Sequence, residues 1–344
     1  MRERQVHGAH AVDITPVVPP AGPIDSSDAP QEAGGSPGLG KVAAPSRESG
    51  GSPGPGEVAA PPAEAGGNRA ADTRALTSGD VRLRYGFGTD VGLLRELNED
   101  SFVAAEPVFA IADGMGGHEA GEVASSICVR TLAASGIPGS GYARLTVGDL
   151  EELIERADHA IRDEAGGDAG TTLTGVVLVE ESAAPHWLFF NVGDSRAYRL
   201  SNDTFGQITV DHSEVQELVD TGQLTEEQAR THPRRHVVTR ALGAGDDTEA
   251  DFWLLPVEQG DRLLLCSDGL SGEVTDEQIC GILSLAGDPQ DACNELITAA
   301  LGAGARDNVT VIVVDATSGG TAGSGAPAAP VRGFFAADGV DPTG

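Results

Sequence analysis

Three apolar stretches of the chain end alike. Val108-Phe109-Ala110-Ile111-Ala112 runs into Asp113-Gly114, Leu263-Leu264-Leu265-Cys266-Ser267 into Asp268-Gly269, and Phe189-Phe190-Asn191-Val192-Gly193 into Asp194-Ser195. Asp307 stands just ahead of Val309–Val314, and Glu99-Asp100 just ahead of Phe102-Val103. One Asp-Gly pair is an ordinary turn signal. The set reads differently, because a carboxylate at the mouth of a buried strand has lost part of its hydration, and several together repel one another unless a cation lies between them. Oxygen donors without a Cys or a His pair select hard ions, Mg²⁺ or Mn²⁺, over zinc. Glycine after Asp113 and Asp268 lets the backbone approach such an ion and offer a carbonyl. Two ions ~3.5 to 4 Å apart lower the pKa of a bridging water and stabilise charge on a transferring phosphoryl group. A planar guanidinium grips the phosphate oxygens, and Arg95, in Arg95-Glu96-Leu97-Asn98-Glu99-Asp100, is the candidate.

Strands must carry these residues. The apolar pattern predicts them at Val108–Ala112, Thr172–Val179, Trp187–Val192, Arg196–Leu200, Gln207–Val210, Arg262–Cys266 and Val309–Val314. Four follow one another between Thr172 and Val210 without a helix, which implies antiparallel sheet and an α+β fold. Leu150, Leu153, Ile154, Ala157 and Ile161 lie at helical spacing after Asp149, with Glu152 completing a capping box. Thr275 and Gln278 open a second helix, Asp288-Pro289 a third, and His118–Ala134 reads as a fourth.

The chain has 344 residues, with 22 Lys and Arg against 53 Asp and Glu, a formal charge of −31. This excludes a phosphate-tracking surface for nucleic acid and disfavours an anionic membrane. No apolar run approaches the ~20 residues of a bilayer span, and Met1 to Pro30 lacks the apolar core of a signal peptide. Cys128, Cys266, Cys280 and Cys293 form no Cys-x-x-Cys pair, and three lie in apolar periodic stretches, which suits reduced thiols. A cytoplasmic protein is expected. The first 80 residues hold 13 Gly, 11 Pro and no aromatic residue, so residues 1–80 are expected to be a disordered arm. Within it GGSPGLGKVAAP (Gly34 to Pro45) recurs as GGSPGPGEVAAP (Gly50 to Pro61). A folded domain over 81–316 and a flexible Gly/Ala/Pro-rich tail over 317–344 follow. The folded part carries a net charge of −26. Solubility and a cation-attracting site would both account for it.

Seven blocks in order extend from Tyr85 to Asp315: TDVGLLRELNEDS (Thr89 to Ser101), ADGMGGHEAGEVAS (Ala112 to Ser125), GTTLT (Gly170 to Thr174), NVGDSRAYRL (Asn191 to Leu200), DHSEVQELVDTGQLTEEQARTHPRRHVVTRALG (Asp211 to Gly243), LLLCSDGLSGEV (Leu263 to Val274) and RDNVTVIVV (Arg306 to Val314). With them the chain resembles the bacterial metal-dependent protein phosphatases, the type 2C serine/threonine phosphatases. The resemblance implies a four-layer α-β-β-α sandwich of two antiparallel sheets flanked by helices. It implies that Asp113 bridges two Mn²⁺ or Mg²⁺ ions, that Asp268 and Asp307 complete one, and that Glu99 with the Gly114 carbonyl holds the other, directly or through water. Asp100 would orient metal-bound waters, Asp194 would share a weaker third-ion site with Asp268, and Arg95 would bind the substrate phosphate. The implied reaction is in-line attack of activated water on phosphoserine or phosphothreonine without a covalent enzyme intermediate. Phosphorylated Ser/Thr proteins and a Ser/Thr protein kinase are the implied partners of a monomeric enzyme that reverses kinase signalling.

The chain also departs from that pattern. Met115 stands where many relatives outside bacteria have a His proposed as general acid, so the acid is unassigned. His118 reads as a packing or hydrogen-bonding residue, and His236 replaces a usual Asn with little effect on chemistry expected. Arg230, His232, Arg234, Arg235, His236 and Arg240 form a basic island, which would steer phosphopeptides or pair with surrounding acids. Other phosphatase and nucleotide chemistries lack their residues: no Cys has Arg six residues later, there is no Asp-x-Asp, and Glu119 stands where a dinucleotide loop needs its third Gly. The alternative from another class is a non-catalytic phosphoprotein-binding module of the same fold.

Overall fold

The computed structural model describes residues 81–116, 120–137, 145–165, 169–244 and 248–318, with two short backbone segments at 7–8 and 334–336. The strands are β1 (His7–Gly8), β2 (Val81–Asp90), β3 (Asp100–Ala105), β4 (Val108–Gly116), β5 (Ala169–Thr171), β6 (Leu173–Glu181), β7 (Ala184–Val192), β8 (Arg196–Ser201), β9 (Thr204–Gln207), β10 (Asp251–Pro256), β11 (Arg262–Cys266), β12 (Val309–Ser318) and β13 (Phe334–Ala336). The helices are α1 (Ala120–Ala134), α2 (Val147–Ala165), α3 (Glu214–Asp220), α4 (Glu226–Arg230), α5 (Asp268–Ser271), α6 (Asp276–Leu285) and α7 (Pro289–Ala303). One sheet runs β1-β10-β7-β6-β4-β3-β13 with β5 beside β4, and the other runs β2-β12-β11-β8-β9. All neighbours are antiparallel except the β1–β10 pair.

Strand alternation explains why the central strands are apolar on both faces. In β12, Ile312, Val314 and Ala316 point into the core between the sheets, while Val309, Val311 and Val313 point outward under α6 and α7. In β7, Trp187 and Phe189 enter the inter-sheet core, while Leu188, Phe190 and Val192 pack under α1 and α2. Each large apolar side chain buried in this way contributes ~1.5 to 3 kcal/mol. A sheet with apolar residues on both faces must be covered on both, and the four layers follow. Among the described residues no helix is long and apolar enough to cross a membrane. Cys128, Cys266 and Cys293 are buried and Cys280 is half-buried, all with free thiols.

Four expected elements differ in detail. The strand expected at Gln207–Val210 is Thr204–Gln207, because Asn202 and Asp203, at φ 48° and 63°, form a two-residue turn that pairs Ser201 with Thr204. The ladder is complete by Gln207, after which Thr209 Oγ1 accepts the Ala197 N–H. α2 begins at Val147 rather than beside Leu150. There Thr146 N–H donates to Asp149 Oδ2 (2.8 Å) and Asp149 N–H to Thr146 Oγ1 (3.2 Å), so Thr146 and Asp149 make the reciprocal cap, not Asp149 and Glu152. Asp113 does not end its strand, since β4 continues to Gly116 by pairing with β5. α1 starts at Ala120, and His118 and Glu119 lie outside the described residues. The expectations for residues 1–6, 9–80, 319–333 and 337–344 also lie outside the described residues.

Candidate active site

The acidic residues meet at one end of the sandwich because the strands carrying them are neighbours. Asp100 at the start of β3 is in register with Asp113 in β4. Asp194 follows β7, Asp268 opens α5 directly after β11, and Asp307 precedes β12, the partner of β11. Arg95, Glu99, Asp113, Gly114, Asp194, Asp268 and Asp307 line a single cavity of about 500 Å³. Asp100 lies behind its wall, 2% exposed, where Oδ2 accepts from Ser267 Oγ (2.9 Å) and Thr310 Oγ1 (2.6 Å).

The remaining oxygens bear on what kind of group the lining fits. Asp100 Oδ1 and Glu99 Oε1 are buried without a hydrogen-bond partner, and an orphaned carboxylate oxygen is costly to bury. Burial, with the neighbouring charges of Asp100, Asp268, Asp194 and Asp307, raises the Asp113 carboxyl well above its usual range. Burial first, then Asp268 and Asp211, raises Asp194 likewise. Burial also raises Glu99, against the pull of Arg95. Six carboxylates, those of Glu99, Asp113, Asp194, Asp268, Glu273 and Asp307, face three guanidiniums, those of Arg95, Arg235 and Arg306. This hard, oxygen-only, negatively charged lining fits Mg²⁺ or Mn²⁺. Among the described residues no three Asp, Glu, His or Cys side chains already stand as a closed cage for one ion. The acids line the walls instead.

Burial pushes the Asp100 carboxyl up to about 7, against the two hydroxyl bonds, with Asp268 and Asp307 adding to the rise. In the metal-free protein a raised carboxyl makes a contribution to stability that is complete below the unfolded pKa of ~3.9 and is lost as pH rises through about 7. The loss is on the order of 4 kcal/mol at most. Metal-free Asp100→Asn should therefore melt progressively higher relative to the metal-free parent between pH 5 and pH 8. A difference that does not change with pH would show that Asp100 is ionised throughout.

Several supporting residues escaped the sequence reading. Asn308, 4% exposed, accepts the Glu99 N–H at Oδ1 (2.9 Å) and donates through Nδ2 to Val91 O (3.0 Å) and Leu97 O (2.9 Å), so it pins the loop that carries Arg95. Thr172 Oγ1 accepts the Asp113 N–H (3.1 Å) and pairs with Ser195 Oγ (2.9 Å), which ties the Asp113 strand to the Asp194 turn. Their signal was a polar residue directly ahead of an apolar strand, Asn308 before Val309 and Thr172 before Leu173. Arg95 Nη2 donates to Asp307 Oδ2 (2.7 Å), which leaves the guanidinium's other donors for the cavity. His236, expected to matter little, has Nδ1 3.5 Å from Asp268 Oδ2 and lines the cavity. Of the basic island, Arg230 pairs with Asp276, Arg234 with Glu214 and Arg240 with Asp251. Arg235 lines the cavity, donates to His232 O (3.4 Å) and acts electrostatically on Glu273.

Residues 95–290 match the family model for protein phosphatase 2C. A serine/threonine phosphatase stp of Listeria innocua is 36% identical over 243 residues, 67% of this chain and 94% of the relative. The serine/threonine protein phosphatase PstP of Mycobacterium tuberculosis is 40% identical over 238 residues, 68% of this chain but 45% of that protein. The crystal structure of the PstP catalytic domain in complex with two manganese ions superposes with a TM-score of 0.62 at 36% identity, covering 69% of this chain and 99% of that one.

Proposed function

The chain belongs to the protein phosphatase 2C family and is an enzyme, and from that premise we propose that it hydrolyses phosphoserine and phosphothreonine in phosphoproteins with two divalent ions, opposing a Ser/Thr protein kinase in the cytoplasm as a monomer. The observation that carries the proposal is the charge balance of the cavity. Its carboxylates outnumber its guanidiniums by three, an excess that repels a phosphate dianion. Two divalent ions reverse that sign and make a site that accepts one. When bound, the ions would supply a hydroxide near neutral pH and draw charge from the phosphoryl oxygens.

The chain's own residues supply the rest. Asp113, Asp268 and Asp307 would hold one ion, and Asp113, Glu99 and the Gly114 carbonyl the other, with Asp194 and Asp268 at a weaker third site. Asp100, fixed by Ser267 and Thr310, would orient water through its remaining oxygen. The Asp307 carboxylate raises the pKa of Arg95 still further, chiefly by its hydrogen bond, so the fork is charged when phosphate arrives. The domain division at residues 81 and 316 belongs to the same reading. Hydrolysis of p-nitrophenyl phosphate with Mn²⁺, and its loss with a chelator, tests the proposal. Turnover indifferent to the chelator defeats it. A stable phosphopeptide complex without turnover would favour the binding-module reading.

The placement of Arg235 narrows the steering idea. Neutralising Arg235 should raise KM for phosphopeptides ~5- to 10-fold while p-nitrophenyl phosphate changes little, because a peptide carries its charge across the cavity mouth. Arg234→Ala removes only the Glu214 pair and should leave both substrates unchanged. Equal effects of Arg235→Ala on the two substrates would exclude steering.

A further inference from the structure

Asp194 has a buried support outside the acidic cluster. Its neighbour Gly193, at φ +106°, is bound from both sides by one residue, His212. The His212 backbone N–H donates to Gly193 O (2.9 Å), an oxygen that also accepts from Asn191 Nδ2 (2.9 Å). The Gly193 N–H donates to His212 Nδ1 (3.1 Å). Nδ1 is therefore the unprotonated nitrogen, and Nε2 carries the hydrogen that it donates to Asp251 Oδ2 (3.2 Å). Arg240 Nη1 stands 3.2 Å from the same Nε2 and 3.4 Å from Asp251 Oδ1. His212 is 6% exposed and does not line the acidic cavity. It is also where the segment bearing α3, α4 and Arg235 leaves and returns, since Thr239 N–H donates to His212 O (2.8 Å) and Ser213 bridges to Val238.

We infer that His212 is a positioning residue for Asp194: its imidazole holds the Gly193 amide, and through it sets the carboxylate for the weakest-bound divalent ion. The inference rests on the metal-centre reading above. Asp251 fixes the tautomer, much as a carboxylate behind a metal-binding histidine does, but here the ring grips a peptide N–H.

Two substitutions divide the two jobs of the ring. In Asn the amide oxygen lies as many bonds from Cα as Nδ1, so His212→Asn keeps an acceptor for Gly193 and gives up Asp251. In Gln the terminal amide lies as far out as Nε2, so His212→Gln keeps a donor for Asp251 and gives up Gly193. Mn²⁺ binding to the metal-free full chain is followed by titration calorimetry, with p-nitrophenyl phosphate turnover alongside. His212→Gln should weaken the weakest binding step ~10- to 100-fold, the range for residues that orient metal ligands. His212→Asn should bind like the parent, and His212→Gln in an Asp194→Asn background should add nothing to Asp194→Asn alone. Equal losses in the Gln and Asn variants, additive loss in the double variant, or a parent without a weaker step would each overturn the inference. If His212→Gln fails to fold, His212→Ala makes the same comparison with His212→Asn. Failure of the metal-centre reading is recognised separately, by a parent that binds no Mn²⁺ or by Asp113→Asn that leaves the tight steps intact.

Discussion

Asp113→Asn will abolish turnover and at the same time raise the melting temperature of the metal-free protein. Altering a residue that only orients a metal ligand lowers activity or metal affinity ~10- to 100-fold. Removing the carboxylate proposed to serve both ions should lower kcat by more than ~100-fold. The opposite sign for stability follows from the same geometry. Burial and the charges of Asp100, Asp268, Asp194 and Asp307 raise the Asp113 carboxyl, so a neutral amide relieves repulsion that only a cation otherwise offsets. Kinetics and thermal melting in chelator, on the same preparation, check both parts. A variant that is inactive and also less stable without metal would mean that Asp113 is a structural residue.

Gly114→Ala will disable the site by a different route. A Cβ at Gly114 would stand 2.2 Å from Gly121 O, 2.5 Å from Gly121 C and 2.6 Å from Glu99 O, all of them backbone atoms. No side-chain rotation relieves such a clash, so either the first turn of α1 or the Glu99 segment must move. Overpacking of this kind destabilises by ~1 to 3 kcal/mol, which for a domain of this size lowers Tm by about 3 to 10 °C. Displacement of Glu99 should also weaken Mn²⁺ binding. Gly206→Ala, where a Cβ meets nothing within 4 Å, is the control and should melt with the parent. A Gly114→Ala protein with parental Tm and Mn²⁺ affinity would refute the argument.

Much of the framework was legible because its strands are buried on both faces. Continuous apolar runs such as Val309–Val314 and Arg262–Cys266 have no other stable use in a chain of this charge, and both appear where expected. The caps at Thr275 with Gln278 and at Asp288 were equally plain, since they are local hydrogen bonds between near neighbours. β2, β3, β5 and β10 were not recognised. β2 carries Gly86, which leaves room for the Pro289-Gln290 backbone of α7, and the residues of β10 are only half-buried. β2 does alternate, with Val81, Leu83, Tyr85 and Phe87 in the core between the sheets and Arg82, Arg84, Gly86 and Gly88 between them, so its pattern was legible beside the Gly/Pro-rich arm. In β10, by contrast, Phe252 to Leu255 are apolar in succession and show no alternation.

The sequence by itself determined which side chains could serve: acids next to apolar strands, oxygen donors only, and an arginine close by. Those properties belong to residue type and to neighbours along the chain, which a sequence displays directly. Tertiary structure alone decided that Asp113 lies within a strand, that Asn308 and Thr172 hold the acids in place, that Arg235 faces the cavity while Arg234 is paired, and that Gly114 makes room for Gly121. Each of these depends on which distant segments the sheets bring side by side, and hydrogen-bond register across a sheet leaves no local pattern in the residues it joins.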